Sequence, residues 1–151
     1  MFIYCRYYTI LASDHFSHKI TVKRLDEAFC ELSLDRLDFM KVDVEGFELE
    51  VFAGAKEILA TYKPIVFLEM NHWCLNIYRR MSIPEFREQL MEYFPCIYAL
   101  DGSDYLNYAD PKNVHHINYH HVLNFKFMNL VAGFDRQEIL SRLSGLREKQ
   151  S

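Results

Sequence analysis

Two apolar runs that each stop on a carboxylate constrain this chain more than any other feature. The first, "LDFMKVDV", runs from Leu37 to Val44 and is followed at once by Glu45 and Gly46. The second, "PIVFLEM", is apolar from Ile65 to Leu68 and closes on Glu69. Short apolar runs bounded by turn signals read as buried strands, and strands covered on both faces suit a parallel sheet. Between them Val51, Phe52, Ala55, Ile58, Leu59 and Tyr62 keep helical spacing from Phe47 to Tyr62, and Pro64 ends the segment. The spacing predicts one helix there, crossing between two parallel strands.

The same logic extends along the chain. "KITVKRL" (Lys19 to Leu25) alternates and reads as a strand, and "DEAFCEL" as a short helix with Asp26 at its N-cap. "SIPEFREQLMEYF" opens with Ser82 and Glu85 at capping-box spacing and a proline in its first turn, so a helix follows. "CIYAL" is a strand, residues 101–121 are polar and turn-rich and read as a long loop, and "VLNFKFMNLVA" is a strand with Phe125 and Phe127 as core. "DRQEILSRLSGLREKQ" is an amphipathic helix started by Asp135 and Glu138. Alternating strands and helices give an α/β fold with a mainly parallel sheet and flanking helices.

Composition bounds the function. Of 151 residues, 50% are hydrophobic, enough for one domain with a core. The net charge of −4 comes without a basic stripe, which argues against nucleic acid as a partner. "MFIYCRYYTILA" is apolar but only twelve residues long and is interrupted by Arg6. That is too short for a membrane span, and it lacks the features of a signal peptide, so it reads as a strand. Cys5, Cys30, Cys74 and Cys96 form no CxxC and read as reduced core thiols of a cytoplasmic protein.

In open α/β sheets, ligands bind outside the carboxyl ends of the strands. Asp43 and Glu45 lie at that end of one strand and Glu69 at that of the next, so three carboxylates are expected to meet there.

These residues carry a resemblance. Lys41, Asp43, Val44, Glu45, Gly46, Glu48, Gly54 and Ala55, then Pro64, Ile65, Val66 and Glu69, are similar to the pattern of the FkbM family of S-adenosylmethionine-dependent methyltransferases. The close match covers about residues 21–71. It implies a Rossmann-like class I methyltransferase fold and O-methylation of a hydroxyl on a sugar or natural-product-like acceptor. It also implies a glycine-rich turn for the cofactor, and here the chain departs from the pattern. Its glycines are Gly46, Gly54, Gly102, Gly133 and Gly145, no two at GxG spacing and none within residues 1–40. The chain therefore reads as the C-terminal part of a single methyltransferase domain over residues 1–151. The expectation that follows is weak cofactor binding by the chain alone and self-association through an open sheet edge. The competing reading is a truncated non-catalytic remnant or interaction module.

Under the resemblance, Asp43 contacts cofactor or acceptor. Glu45 does the same or caps the following helix. Glu69 and Asn71 lie on the acceptor side, by positional analogy with the metal ligands of catechol O-methyltransferase, though no metal is assigned. His72 is the general-base candidate, since its ordinary pKa lies near neutrality. Lys41 pairs with a carboxylate or reaches solvent, and Gly46 permits the sharp turn. His115, His116, His120 and His121 form two doublets in the expected loop. Neighbours in a strand face opposite ways, and no cysteine or carboxylate completes a zinc spacing, so a polar loop near the substrate is the reading.

Overall fold

The computed structural model describes residues 22–148; the N-terminal apolar run and the start of "KITVKRL" lie outside the described residues. In chain order the elements are α1 (Leu25–Glu31), β1 (Phe39–Val42), α2 (Glu48–Ala53), α3 (Lys56–Tyr62), β2 (Ile65–Glu69) and α4 (His72–Cys74). After α4 comes a wide π turn over Leu75–Arg79. Then follow α5 (Ile83–Tyr93), β3 (Cys96–Asp101), β4 (Asp104–Asn107), α6 (Pro111–Asn124), β5 (Asn129–Gly133), α7 (Arg136–Arg142) and β6 (Arg147–Glu148).

The class is α/β, as expected, around one sheet in the order β1-β2-β5-β3-β4-β6. The sheet is mixed rather than mainly parallel. β1 and β2 are parallel, with Phe39 opposite Ile65 and Val42 opposite Leu68, and β4 and β6 are parallel too. The other pairings, β2 with β5, β5 with β3 and β3 with β4, are antiparallel. Two local causes account for this. β5 inserts, reversed, between β2 and β3, which run in the same direction. β3 and β4 are joined by a two-residue turn at Gly102 and Ser103, with Gly102 at φ +61°, and such a turn forces a hairpin.

Side chains alternate across the strands. Val66, Leu68, Ile97, Ala99, Leu130 and Ala132 join the larger core, with Phe52, Phe86 and Leu90 from the helices. Ile65, Tyr98 and Val131 face the other way, onto Ile139 and Leu143 of the α7 region. The strands that read as covered on both faces are therefore covered, but by unequal layers.

Several expected elements change. The single helix over Phe47–Tyr62 is two helices, broken at Gly54 and Ala55. α1 docks into the break: the Asp26 amide donates to the Gly54 carbonyl at 2.9 Å. The Asp26 carboxylate accepts from the Glu57 and Ile58 amides at 3.4 and 3.1 Å. Asp26 is thus not the N-cap of its own helix, a position held by Arg24; it caps α3 across the chain. Val22–Arg24 are not strand, because the turn into α1 takes them. The long loop of 101–121 is a hairpin and a helix, α6, capped by the Asp110 side chain on the Lys112 amide with Pro111 in its first turn. That helix also absorbs the start of "VLNFKFMNLVA". Phe125 ends it in the left-handed region and is exposed, whereas Phe127 is buried. Asp135 caps α7 through the Gln137 and Glu138 amides, but the helix stops at Arg142. Nor are the described cysteines core thiols: Cys30 is exposed, and Cys74 and Cys96 are half-buried.

The Asp26 bridge generates a stability test. Asp26→Ala leaves two α3 amides without their acceptor, and loss of a cap costs about 0.5–2 kcal/mol. We expect urea unfolding to shift to a lower midpoint by that amount, with the slope unchanged.

Candidate functional site

The carboxyl edge of β1 and β2 is built by a turn. Val42 and Val44 point inward and are buried, while Asp43 and Glu45 between them are exposed. Alternation past the strand end thus puts two carboxylates outside and two valines inside. The chain then reverses into α2 through Glu45 at φ +54° and Gly46 at φ +94°. A Cβ on Gly46 would lie 3.0 Å from the Cys74 carbonyl carbon and 3.1 Å from its oxygen. Gly46 is therefore required twice, by its φ and by the α4 backbone seated against it. The space beside it is filled by protein and offers no approach to a ligand.

Glu48 holds the turn from below. Its Oε1 accepts from the Val44 and Gly46 amides at 3.4 and 3.2 Å. The residue is 2% exposed, and Oε2 is buried without a hydrogen-bond partner. Burial pushes its pKa up to about 7; the amide hydrogen bonds oppose the rise, and the charge of Glu69 adds to it. No sequence argument marked Glu48 as more than an acidic helix start, because periodicity does not show that a first-turn glutamate folds back under its own turn.

Above the turn the carboxylates gather. Lys41 Nζ contacts Asp43 at 3.0 Å. The β1–β2 register brings Asp43 beside Glu69. Glu69 is held above the usual carboxylate range, by burial first and then by the charges of Asp43 and Glu45 and a hydrogen bond with Asp43. Glu45 does not cap α2 through its side chain; its Oε2 accepts from the Cys74 thiol at 3.0 Å. Burial, and next that hydrogen bond, push the thiol up to about 12. Asn71 ends the β2 connection as the N-cap of α4, its Oδ1 accepting from the Trp73 and Cys74 amides.

His72 opens α4 at the same edge. Its ring is flanked by Phe125 and Trp73, at centroid distances of 5.4 and 5.8 Å. Its Nδ1 lies 3.2 Å from Nε2 of His121, which reaches it from α6. Burial lowers the His72 pKa, so the ring is neutral at pH 7. The four-histidine loop is thus a helix, and its histidines disperse. The His116 and His120 rings pack tilted against each other at 4.5 Å, and His121 is the one of the four that contacts His72. The sequence marks His121 only as one of the loop histidines; its pairing with His72 is what the sequence does not show. The signal available was its place four residues beyond Ile117, on the inward face of a helix capped at Asp110.

Among the described residues no group of three or more His, Cys, Asp or Glu is arranged to hold a metal, and no helix is long and apolar enough to cross a membrane. The family model for the methyltransferase FkbM domain matches residues 7–98, more than half of the chain. No curated protein and no solved structure matches it.

Glu48 gives this site a pH signature. The folded carboxyl keeps its proton up to about pH 7, whereas the unfolded one releases it near 4.5. Between those values the folded state binds more protons, so this group makes stability fall as pH rises. A tenfold change in proton affinity is about 1.36 kcal/mol, so the loss is on the order of 3 kcal/mol by pH 8. Glu48→Gln keeps an acceptor for the two amides and removes the titration. Unfolding curves from pH 4 to 8 should show the variant gaining on wild type as pH rises.

Proposed function

Because the chain belongs to the FkbM methyltransferase family, we propose that it transfers a methyl group from S-adenosylmethionine to a hydroxyl oxygen of a sugar or natural-product-like acceptor at the β1–β2 carboxyl edge. The observation that carries this reading is the meeting of Asp43, Glu45 and Glu69 at one edge, with a neutral His72 on the turn that follows.

The cofactor fits the charge of that edge. Three carboxyl groups crowd together beside Lys41, and after burial that crowding adds to the rise of Glu69. A ligand bearing a sulfonium and an ammonium group relieves that repulsion. S-adenosylmethionine, when bound, supplies the electrophilic methyl group. Asp43 and Glu45 are the residues to hold its polar parts, since the packed α4 backbone closes Gly46 to a ligand.

The acceptor needs a place and a base. Glu69 and the amide nitrogen of Asn71 line the far side of the same edge and would accept from or donate to acceptor hydroxyls. As the oxygen–methyl bond forms and the carbon–sulfur bond breaks, the hydroxyl proton must leave. His72 takes it, because a neutral imidazole has a free lone pair.

Two outcomes test this reading. The Lys41–Asp43 pair is exposed, so breaking it costs at most about 1 kcal/mol of stability. Asp43→Asn should therefore leave the unfolding midpoint nearly unchanged while transfer of labelled methyl to a panel of sugar acceptors falls about ten- to hundredfold. Equal turnover in the variant would make Asp43 structural only. For His72, protonation abolishes the base, and its pKa is lowered from 6.5. The rate should fall as pH drops through a midpoint below 6.5, and His72→Gln should lose about a hundredfold or more in kcat.

A further inference from the structure

The reading of His72 as the base leaves open which of its nitrogens carries the proton, and the structure answers through a residue outside the carboxylate edge. His121 sits in the last turn of α6 and is fully buried. Its Nδ1 lies 3.0 Å from the carbonyl oxygen of Lys126. A carbonyl only accepts, so Nδ1 bears the proton. Burial holds this ring down to about 4 and the neighbouring His72 adds to the lowering, against backbone hydrogen bonds to Lys126 and Phe127 that raise it, so at neutral pH it has one proton; with that proton on Nδ1, Nε2 is the acceptor. Facing Nε2 at 3.2 Å is His72 Nδ1, which must then be the donor. The rings meet edge to face, with centroids 4.9 Å apart and planes at 79°.

We propose that His121 is a positioning residue: it accepts the proton of His72 Nδ1 and so fixes His72 in the tautomer whose Nε2 lone pair is free toward the acceptor hydroxyl. The proposal rests on the methyltransferase reading given above. The carbonyl at the far end of the relay is itself held firmly. Phe125 and Phe127 flank Lys126 with φ of +53° and +55°, a conformation uncommon for bulky residues. The Phe127 ring is buried in the core, and the Lys126 amide donates to the His120 carbonyl at 3.2 Å. The charged and titratable groups nearby are committed elsewhere. The Lys126 ammonium reaches Asp101 at 3.2 Å, and His120 Nδ1 pairs with the Asn124 amide at 2.9 Å. The relay from the Lys126 carbonyl to His121 to His72 therefore has one consistent set of proton positions.

The test reads tautomers directly, without needing turnover. Long-range proton–nitrogen spectra of the full chain, labelled with 15N and recorded at pH 7, should show His72 protonated on Nδ1 and bare on Nε2. His121→Phe should convert His72 to a mixture of tautomers and lower kcat about tenfold with KM little changed, as is usual for groups that orient a reacting ligand. His121→Gln, whose amide oxygen can accept from Nδ1, should restore the single tautomer and most of the rate. A wild-type spectrum with the proton on His72 Nε2 overturns the inference at once, whether or not either variant folds. The same holds for a His72 signal that neither substitution alters. Full turnover in His72→Gln beside the expected spectrum would instead sink the base reading, and with it the catalytic meaning of the pair, so the two failures are distinguishable.

Discussion

The hydrogen bonds from the Val44 and Gly46 amides to the buried Glu48 carboxyl are the constraint on which the rest of this edge depends. A chain leaving β1 must reverse within the five residues 43–47 to start α2, which leaves amides pointing into the fold without a strand partner. A nearby carboxyl satisfies them, but only by being buried itself. The reversal also requires Gly46, because α4 packs its backbone into the space where a side chain would be. Glu48 and Gly46 together therefore fix how α4 sits against β1, and with it where His72 stands relative to Asp43.

Burial acts on the two sides of the site in opposite senses. On the carboxyl side it favours the protonated, uncharged form and raises Glu48 and Glu69. On the imidazole side it favours the deprotonated, uncharged form and lowers His72 and His121. One low-dielectric edge thus holds carboxyls that retain their protons and imidazoles that give theirs up.

The parts of this arrangement visible in the sequence were those written in local pattern. The two apolar runs, the carboxylates that end them and the Ser82 and Asp135 caps stand where spacing put them. What was not visible depended on distant partners. The break at Gly54 has no strong local signal, since Ala55 continues the apolar spacing; it is made by α1 docking through Asp26 from about thirty positions away. The histidine-rich stretch read as a loop because its composition is polar and its aromatic and imidazole rings obscure the helical period. Asp110–Pro111 is the local helix-start signal within that stretch. The Gly102–Ser103 turn is likewise a local hairpin signal inside the stretch that reads as a loop. The reversed insertion of β5 is a matter of topology, which the strand's own residues do not encode.

The site also joins two stretches of chain with different standing. Lys41 to His72 lie within the segment that matches the family, whereas His121 and Lys126 lie beyond its end at residue 98. The carboxylate edge therefore falls inside the family match. The orientation of His72 is specified by α6 and the strained Phe125–Phe127 step that follows it. That step cannot relax without moving Phe127 out of the core or Lys126 away from Asp101. Packing of the α6 end thus bears on the proton position at His72 through rigid contacts. A change in the core under β5 would be felt at the site as a change of tautomer before it was felt as a change of shape.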